Sequence, residues 1–348
     1  MSEDTRPLVA LLAAPETAPS VLYGLYDVLW SAGAVFHEIT TGEAGSALID
    51  VRVVAGAAEP FRCAGNVMVE PHEAIDDLDH VDVAVICDIY TPIDVPPCDR
   101  YPREVDWIRK VHGNGAIVAS VCSGSLILAE TGLLDGLEAT GHWAYRQLSR
   151  EHFPKVKWRE DPVICLAGEE KRIVTAGGVT SWQDLALYLI AQLCGPEHAI
   201  QTAKVHLLGD HGDGQLPFAA MTQRIQRTDA VIGECQVWIA DNYTCSNPVA
   251  RMADRTGLQP RTFARRFRAA TGYQPMEYIQ ALRIEEAKQL LERERLSIDE
   301  IGAEVGYEDP TFFRRLFKRK AGLTPTAYRR KFASIVPSKV HEGADTRV

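Results

Sequence analysis

The C-terminal third of the chain says the same thing twice. Gly257-Leu-Gln-Pro-Arg-Thr-Phe263-Ala-Arg265-Arg-Phe267, closed by Gly272-x-x-Pro275-x-x-Tyr278, returns 50 residues later as Gly306-Tyr-Glu-Asp-Pro-Thr-Phe-Phe313-Arg-Arg315-Leu-Phe317, closed by Gly322-x-x-Pro325-x-x-Tyr328. Each copy follows a short apolar stretch, Val249 to Thr256 or Ile298 to Val305, and each reads as helix, glycine-containing turn, second helix. Phe263 and Phe267 are one helical turn apart and should face a core, which leaves Arg261, Arg265 and Arg268 outward. In the second copy Phe313 and Phe317 face inward, and Thr311, Arg315 and Lys318 outward. A basic face that recurs at equivalent positions of a repeat points to a reader of double-stranded DNA.

Charge follows the same division. The chain is acidic overall, with 37 Lys+Arg against 47 Asp+Glu, yet residues 220–332 hold 20 against 14 and residues 1–219 hold 15 against 31. A basic module is therefore joined to an acidic one, the asymmetry expected of a nucleic-acid-binding domain beside a regulatory or enzymatic one.

A length of 348 residues suits two domains. The acidic, polar start runs directly into the strand-like Leu8 to Ala13, which argues against a signal peptide and for a cytoplasmic location. Eight cysteines without a C-x-x-C pair, mostly in apolar runs, suggest buried reduced thiols; no metal or cofactor is implied.

Over the first two hundred residues short apolar runs alternate with amphipathic stretches: Leu8 to Ala14 then Ser20 to Ala32, Val81 to Cys87 then Arg103 to His112, Ala116 to Val121 then Ser125 to Thr131. Parallel strands need helical crossovers, so this order predicts a mostly parallel sheet with helices on both faces. A hairpin around Gly168 to Lys171 and helices over Ser181 to Leu193 and Glu197 to Leu208 complete the domain. Boundaries are expected at 1–208 for the α/β domain, 209–227 for a glycine-rich linker, 228–332 for the helical reader and 333–348 for a flexible tail.

The most informative spot in the α/β domain is Ser120-Val-Cys122-Ser-Gly124. A strand that turns sharply into a helix with a nucleophile at its apex needs small residues two positions to either side, and Ser120 and Gly124 meet that need. Such an elbow sets the thiol at a helix N-terminus, which favours thiolate and leaves backbone N–H groups free for an anion. A buried small residue at the end of a central strand is the alternative.

The elbow, the following Leu128-Ala-Glu-Thr-Gly-Leu-Leu-Asp-Gly136, Ala139-Thr-Gly-His142-Trp143 and Thr175-Ala-Gly-Gly-Val-Thr-Ser-Trp-Gln-Asp184 resemble the DJ-1/PfpI branch of the class I glutamine amidotransferase-like fold. The repeats resemble the AraC/XylS DNA-binding domain, and the two together resemble the GlxA-like bacterial transcription regulators. The resemblance implies a flavodoxin-like, doubly wound α/β domain followed by an all-α double helix-turn-helix domain. It also implies a small-molecule effector, a homodimer through the N-terminal domain, and contact with RNA polymerase if the protein activates. Enzymes of the branch join the cysteine to a histidine and a carboxylate. Cys122 matches the nucleophile and His142 lies where a histidine could approach, but Val21 stands in place of the acid, with Glu16 as a substitute only after loop rearrangement. The candidate pocket is thus Cys122, Ser123, Gly124, His142 and Glu16, in a domain expected to sense rather than catalyse; Asp184 reads as a helix first-turn carboxylate. The alternative is a cysteine-dependent hydratase, amidase or glyoxalase-like enzyme.

By the same resemblance Arg261, Thr262 and Arg265 enter one major groove and Pro310, Thr311 and Arg315 the next, with Arg268, Arg314, Lys318 and Arg319 on phosphates. Asn247-Pro248 and Asp309-Pro310 read as cap-plus-proline helix starts, and Ser297 with Glu300 as a capping box. Met276 to Glu292 reads as a connecting helix with Ile279, Leu282 and Leu290 near one stripe.

Overall fold

The computed structural model describes residues 5–333, apart from residues 79, 91, 93, 94, 210 and 221–228. Residues 210 and 221–227 of the expected linker and all of the expected tail beyond Ala333 lie outside the described residues. By its internal contacts the chain divides into two units, Met1–Gln215 and Leu216–Val348. Among the described residues no helix is long and apolar enough to cross a membrane.

The first unit runs β1 (Leu8–Leu12), α1 (Pro19–Ser31), α2 (Val35–Thr41), β2 (Asp50–Ala55), β3 (Phe61–Arg62), β4 (Met68–Val69), β5 (Glu73–Ala74), β6 (Val83–Ile86), α3 (Pro102–Gly113), β7 (Ile117–Val121) and α4 (Gly124–Glu130). It continues through β8 (Glu138–Thr140), α5 (Arg146–His152), β9 (Lys157–Arg159), β10 (Ile164–Ala167), β11 (Ile173–Ala176), α6 (Trp182–Cys194) and α7 (Pro196–His206). Seven strands form one sheet in the order β10-β11-β7-β6-β1-β2-β5. Among the described residues of this sheet only the β10–β11 pair is antiparallel, the hairpin expected around Gly168.

Alternation along the central strands sorts their side chains into two cores. Val9 and Leu11 of β1 and Val83 and Val85 of β6 pack with Leu25 of α1 and Leu189 of α6. Their neighbours Ala10, Leu12, Ala84 and Ile86 pack on the other face with Ile108 of α3 and Leu128 of α4. The sheet is buried on both sides, which is why its strands read as unbroken apolar runs. Strand β7, inside the sheet between β11 and β6, ends at the elbow.

The second unit is helical: α8 (Ala230–Asn242), α9 (Pro248–Thr256), α10 (Pro260–Thr271), α11 (Pro275–Arg293), α12 (Ile298–Glu304), α13 (Pro310–Ala321) and α14 (Pro325–Ala333). Proline opens five of these seven helices, where its missing N–H costs nothing and its fixed φ favours the first turn. The sequence repeat is also a repeat of packing. Phe267 meets Tyr278 at 5.3 Å and 81°, and Phe317 meets Tyr328 at 5.5 Å and 84°. Phe263, Phe267, Phe313 and Phe317 are all fully buried.

Helix α11 serves both halves. Tyr278, Ile279 and Leu282 belong to the core around Phe263, whereas Ile284, Ala287 and Leu291 belong to the core around Phe313. The expected single stripe through Leu290 is therefore corrected: Leu291 is the fully buried residue, and Leu290 is half-buried beside it. The helix turns a different face to each core because its two ends have different neighbours. Arg283, between the two groups, donates to the Tyr243 carbonyl at 2.8 Å, the Gly306 carbonyl at 2.8 Å and the Cys245 carbonyl at 3.4 Å, with its guanidinium over the Tyr307 ring.

The caps differ in one place. Asp309 accepts from the Thr311 and Phe312 amides, and Ser297 and Glu300 close their capping box. Asn247, expected to cap α9, makes no side-chain cap bond. Its backbone is left-handed, at φ 50°, where a capping residue is ordinarily extended.

Candidate effector site and nucleic-acid interface

Cys122 follows β7 with φ at 58°, a left-handed conformation that a side-chain-bearing residue adopts only at a cost. The turn is tight enough to dictate Gly124: a Cβ there would lie 2.6 Å from the Ile86 carbonyl oxygen and 2.7 Å from that of Cys87. Ser120 and Ser123 are buried, and Cys122 is 3% exposed. The strained elbow read from the sequence is present.

Its electrostatics are the reverse of the expectation. Asp88, just beyond β6 and 8% exposed, places Oδ1 3.2 Å from the Ser123 amide nitrogen and 2.6 Å from the Ser123 hydroxyl. The helix N-terminus that was to hold an external anion already holds the protein's own carboxylate. Burial pushes the Cys122 thiol well above its ordinary pKa, and the facing Asp88 raises it further, against a smaller opposing pull from the Ser123 amide. Burial and Asp88 thus favour the thiol over the thiolate, against the pull expected of a helix N-terminus.

His142, one residue beyond Gly141 at the end of β8, accepts the Ala144 amide at Nδ1 over 3.1 Å. Burial lowers its pKa, with Asp88 opposing. A neutral imidazole that accepts at Nδ1 carries its hydrogen on Nε2, so the free end of the ring is a donor and not a base. Asp88 acts electrostatically on both Cys122 and His142.

The other candidates fall elsewhere. Glu16 is bound by Arg100 at 3.0 Å and by the Tyr101 hydroxyl, and Val21 is buried in the core that includes Cys122. Asp184 lies in the first turn of α6, as read, and pairs with His211 at 2.6 Å. His211 and Gln215, expected within a linker, are both held against the α/β unit, Gln215 being buried beside Thr140, Gly141 and Pro162.

In the helical unit Arg261, Arg265 and Arg268 of α10 are exposed, and with the half-buried Thr262 and the exposed Gln274 they line one concave surface. Pro310, Thr311, Arg314, Arg315, Lys318 and Arg319 of α13 are also exposed. Arg314 pairs with Asp299. Arg266, next to Arg265, is held at 2.8 and 2.9 Å by Asp229, the cap of α8. One arginine of the adjacent pair secures the fold and the other is left outward.

The DJ-1/PfpI family matches residues 30–192, and the helix-turn-helix domain family matches residues 252–331. An isonitrile hydratase of Pseudomonas putida is 30% identical over 191 residues, which cover 55% of this chain and 74% of that protein. The chain belongs to the DJ-1/PfpI family. Its DJ-1/PfpI unit is followed by an AraC-type helix-turn-helix domain. The same order runs through two relatives that are named as HTH-type transcriptional regulators. CdhR of Pseudomonas aeruginosa is 27% identical over 300 residues, covering 84% of this chain and 85% of that protein. GlxA of Rhizobium meliloti is 27% identical over 233 residues, covering 65% and 69%.

Two residues of the DJ-1/PfpI unit escaped sequence reasoning. Asp88 had a signal, a lone carboxylate directly after the apolar run Val81 to Cys87. Gln215 had none, because its glycine-rich surroundings read as linker.

Proposed function

We propose that the chain is a ligand-responsive transcription regulator that reads DNA with two helices per subunit and senses a small metabolite through a non-catalytic DJ-1/PfpI unit. The observation that carries this is the pair of basic helix faces. Arg261, Arg265, Arg268, Arg315, Lys318 and Arg319 are exposed and make no ion pair among the described residues. Unpaired cations on one face of each repeat suit a phosphate backbone, whereas a merely soluble face would be interleaved with carboxylates.

In this reading Arg261, Thr262 and Arg265 read one groove and Pro310, Thr311 and Arg315 the next. Arg268, Lys318 and Arg319 hold phosphates, and Arg314 joins them by leaving Asp299. Arg283 fixes one reader against the other. The pocket comprises Cys122, Ser123, Gly124 and His142. The absence of turnover is supported by burial and a facing carboxylate that disfavour the thiolate needed for nucleophilic attack, by an elbow amide already occupied by Asp88, and by an imidazole whose free nitrogen carries hydrogen. A homodimer through the DJ-1/PfpI unit would extend the operator, and contact with RNA polymerase would follow for an activator.

The test is to map the genomic sites bound by the full chain and to assay consumption of the metabolites handled by the flanking operons. Discrete sites without Cys122-dependent consumption support the regulator. Cys122-dependent turnover without site-specific binding would establish the enzyme instead.

A further inference from the structure

Gln215 is 5% exposed, and its amide is held in one orientation. Nε2 lies 3.0 Å from the Pro162 carbonyl, 3.3 Å from the Gly141 carbonyl and 3.1 Å from Thr140 Oγ1. Carbonyl oxygens only accept, so the nitrogen must face them; the Thr140 hydroxyl donates to the same Pro162 carbonyl and keeps a lone pair for Gln215. Oε1 consequently points away, and it is buried with no partner among the described residues. A buried carbonyl left unpaired is unfavourable, so a hydrogen-bond donor is missing at this place.

Two glycines shape the surroundings. A Cβ on Gly177 would come within 2.1 Å of Gln215 Nε2, so only glycine admits the amide. The position a Cβ on Gly178 would take is 3.7 Å from Gln215 Oε1, 3.9 Å from His142 Cδ2 and 4.0 Å from Ser181 Oγ. These are ordinary contact distances, so crowding does not require glycine at 178 as it does at 177. Asp88, which acts on His142 from nearby, makes an anion the wrong occupant and a donor the right one.

We propose that Gln215 is the effector-reading latch of the DJ-1/PfpI unit: Oε1 accepts a hydrogen bond from an amide, amine or hydroxyl group of a small metabolite lying over Gly178, while Nε2 clamps the chain. The inference rests on the sensor reading and names the group that is sensed. Gln215 is the last residue of the α/β unit, and the helical unit begins at Leu216. Within the helical unit the next residues are held in turn, Phe218 against Phe332 at 5.5 Å and the Ala219 carbonyl by Lys288. An effector that strengthens the clamp therefore fixes the chain where it enters the readers.

Hydrogen exchange of the Gln215 amide, which donates to the Asp161 carbonyl at 3.1 Å, tests the latch in the full chain. The probes are acetamide, which has N–H donors, and N,N-dimethylacetamide, which has none. Acetamide at twice its Kd should slow exchange about threefold, and the dimethyl compound should not. Gly178→Ala, whose φ of −62° suits alanine, should keep the clamp and lose the acetamide response. Gly177→Ala should expel the amide and speed exchange without any probe. An equal response to both probes, or an undiminished acetamide response in Gly178→Ala, overturns the proposal. Site-specific DNA binding by the same preparations separates the two ideas, because its presence preserves the regulator reading when the latch fails, and its absence removes that reading whatever the latch does.

Discussion

Asp88 Oδ1 sits 3.2 Å from the Ser123 amide nitrogen and 2.6 Å from the Ser123 hydroxyl oxygen, directly beside Cys122. One buried carboxylate thereby takes the N–H that an elbow would offer to a developing oxyanion and disfavours a second negative charge on sulfur.

Replacing Asp88 with Asn should make Cys122 more reactive. Each pKa unit removed raises the thiolate fraction about tenfold while the pH stays below the pKa. Burial is the larger cause of the raised value, so the variant should remain a slow thiol, but a faster one than the parent. Peptide-resolved iodoacetamide labelling at pH 8 reads this, and an unchanged Cys122 rate would remove Asp88 from its control.

The raised thiol also has a sign in stability. In the unfolded chain Cys122 ionises near its ordinary 9.0, whereas the folded protein holds the proton to higher pH. Its contribution is therefore complete below pH 9 and is lost as pH rises from there toward the folded value, at up to about 1.4 kcal/mol per pH unit. Urea unfolding of the parent and of Cys122→Ala between pH 8 and about 10.5 should give a shallower decline for the variant. Parallel curves would contradict the assignment.

Arg283 should matter to DNA binding without touching DNA. Arg283→Met leaves the Tyr243 and Gly306 carbonyls unpaired, at a cost of about 2–3 kcal/mol. Because those carbonyls belong to the two different halves, affinity for a site with both half-sites should fall more than affinity for a single half-site. Equal losses on both DNAs would mean that the readers are not coupled through this residue.

The fold was legible because its signals were periodic. Val9 to Leu12 and Val83 to Ile86 are buried on both faces and read as unbroken apolar runs, and the Phe263/Phe267 spacing recurs at Phe313/Phe317. The elbow was legible from Ser120 and Gly124, which the tight turn demands. Its charge state was not, because Asp88 is 34 residues from Cys122 in sequence and meets it only where β6 and β7 end side by side. Gln215 was hidden for a like reason: its partners lie 53 to 75 residues away. Leu291 displaced Leu290 because α11 faces two cores, which a single helical stripe cannot describe.

The most direct test of the central claim is the affinity of the full chain for a mapped operator and for its scrambled sequence at several salt concentrations, with Arg265→Ala, Arg315→Ala and Arg268→Ala beside the parent. The account predicts salt-sensitive binding in which each of the first two changes erodes discrimination by about 1–3 kcal/mol, while Arg268→Ala weakens both DNAs alike. Full discrimination in Arg265→Ala and Arg315→Ala, or equal affinity of the parent for operator and scrambled DNA, would contradict it.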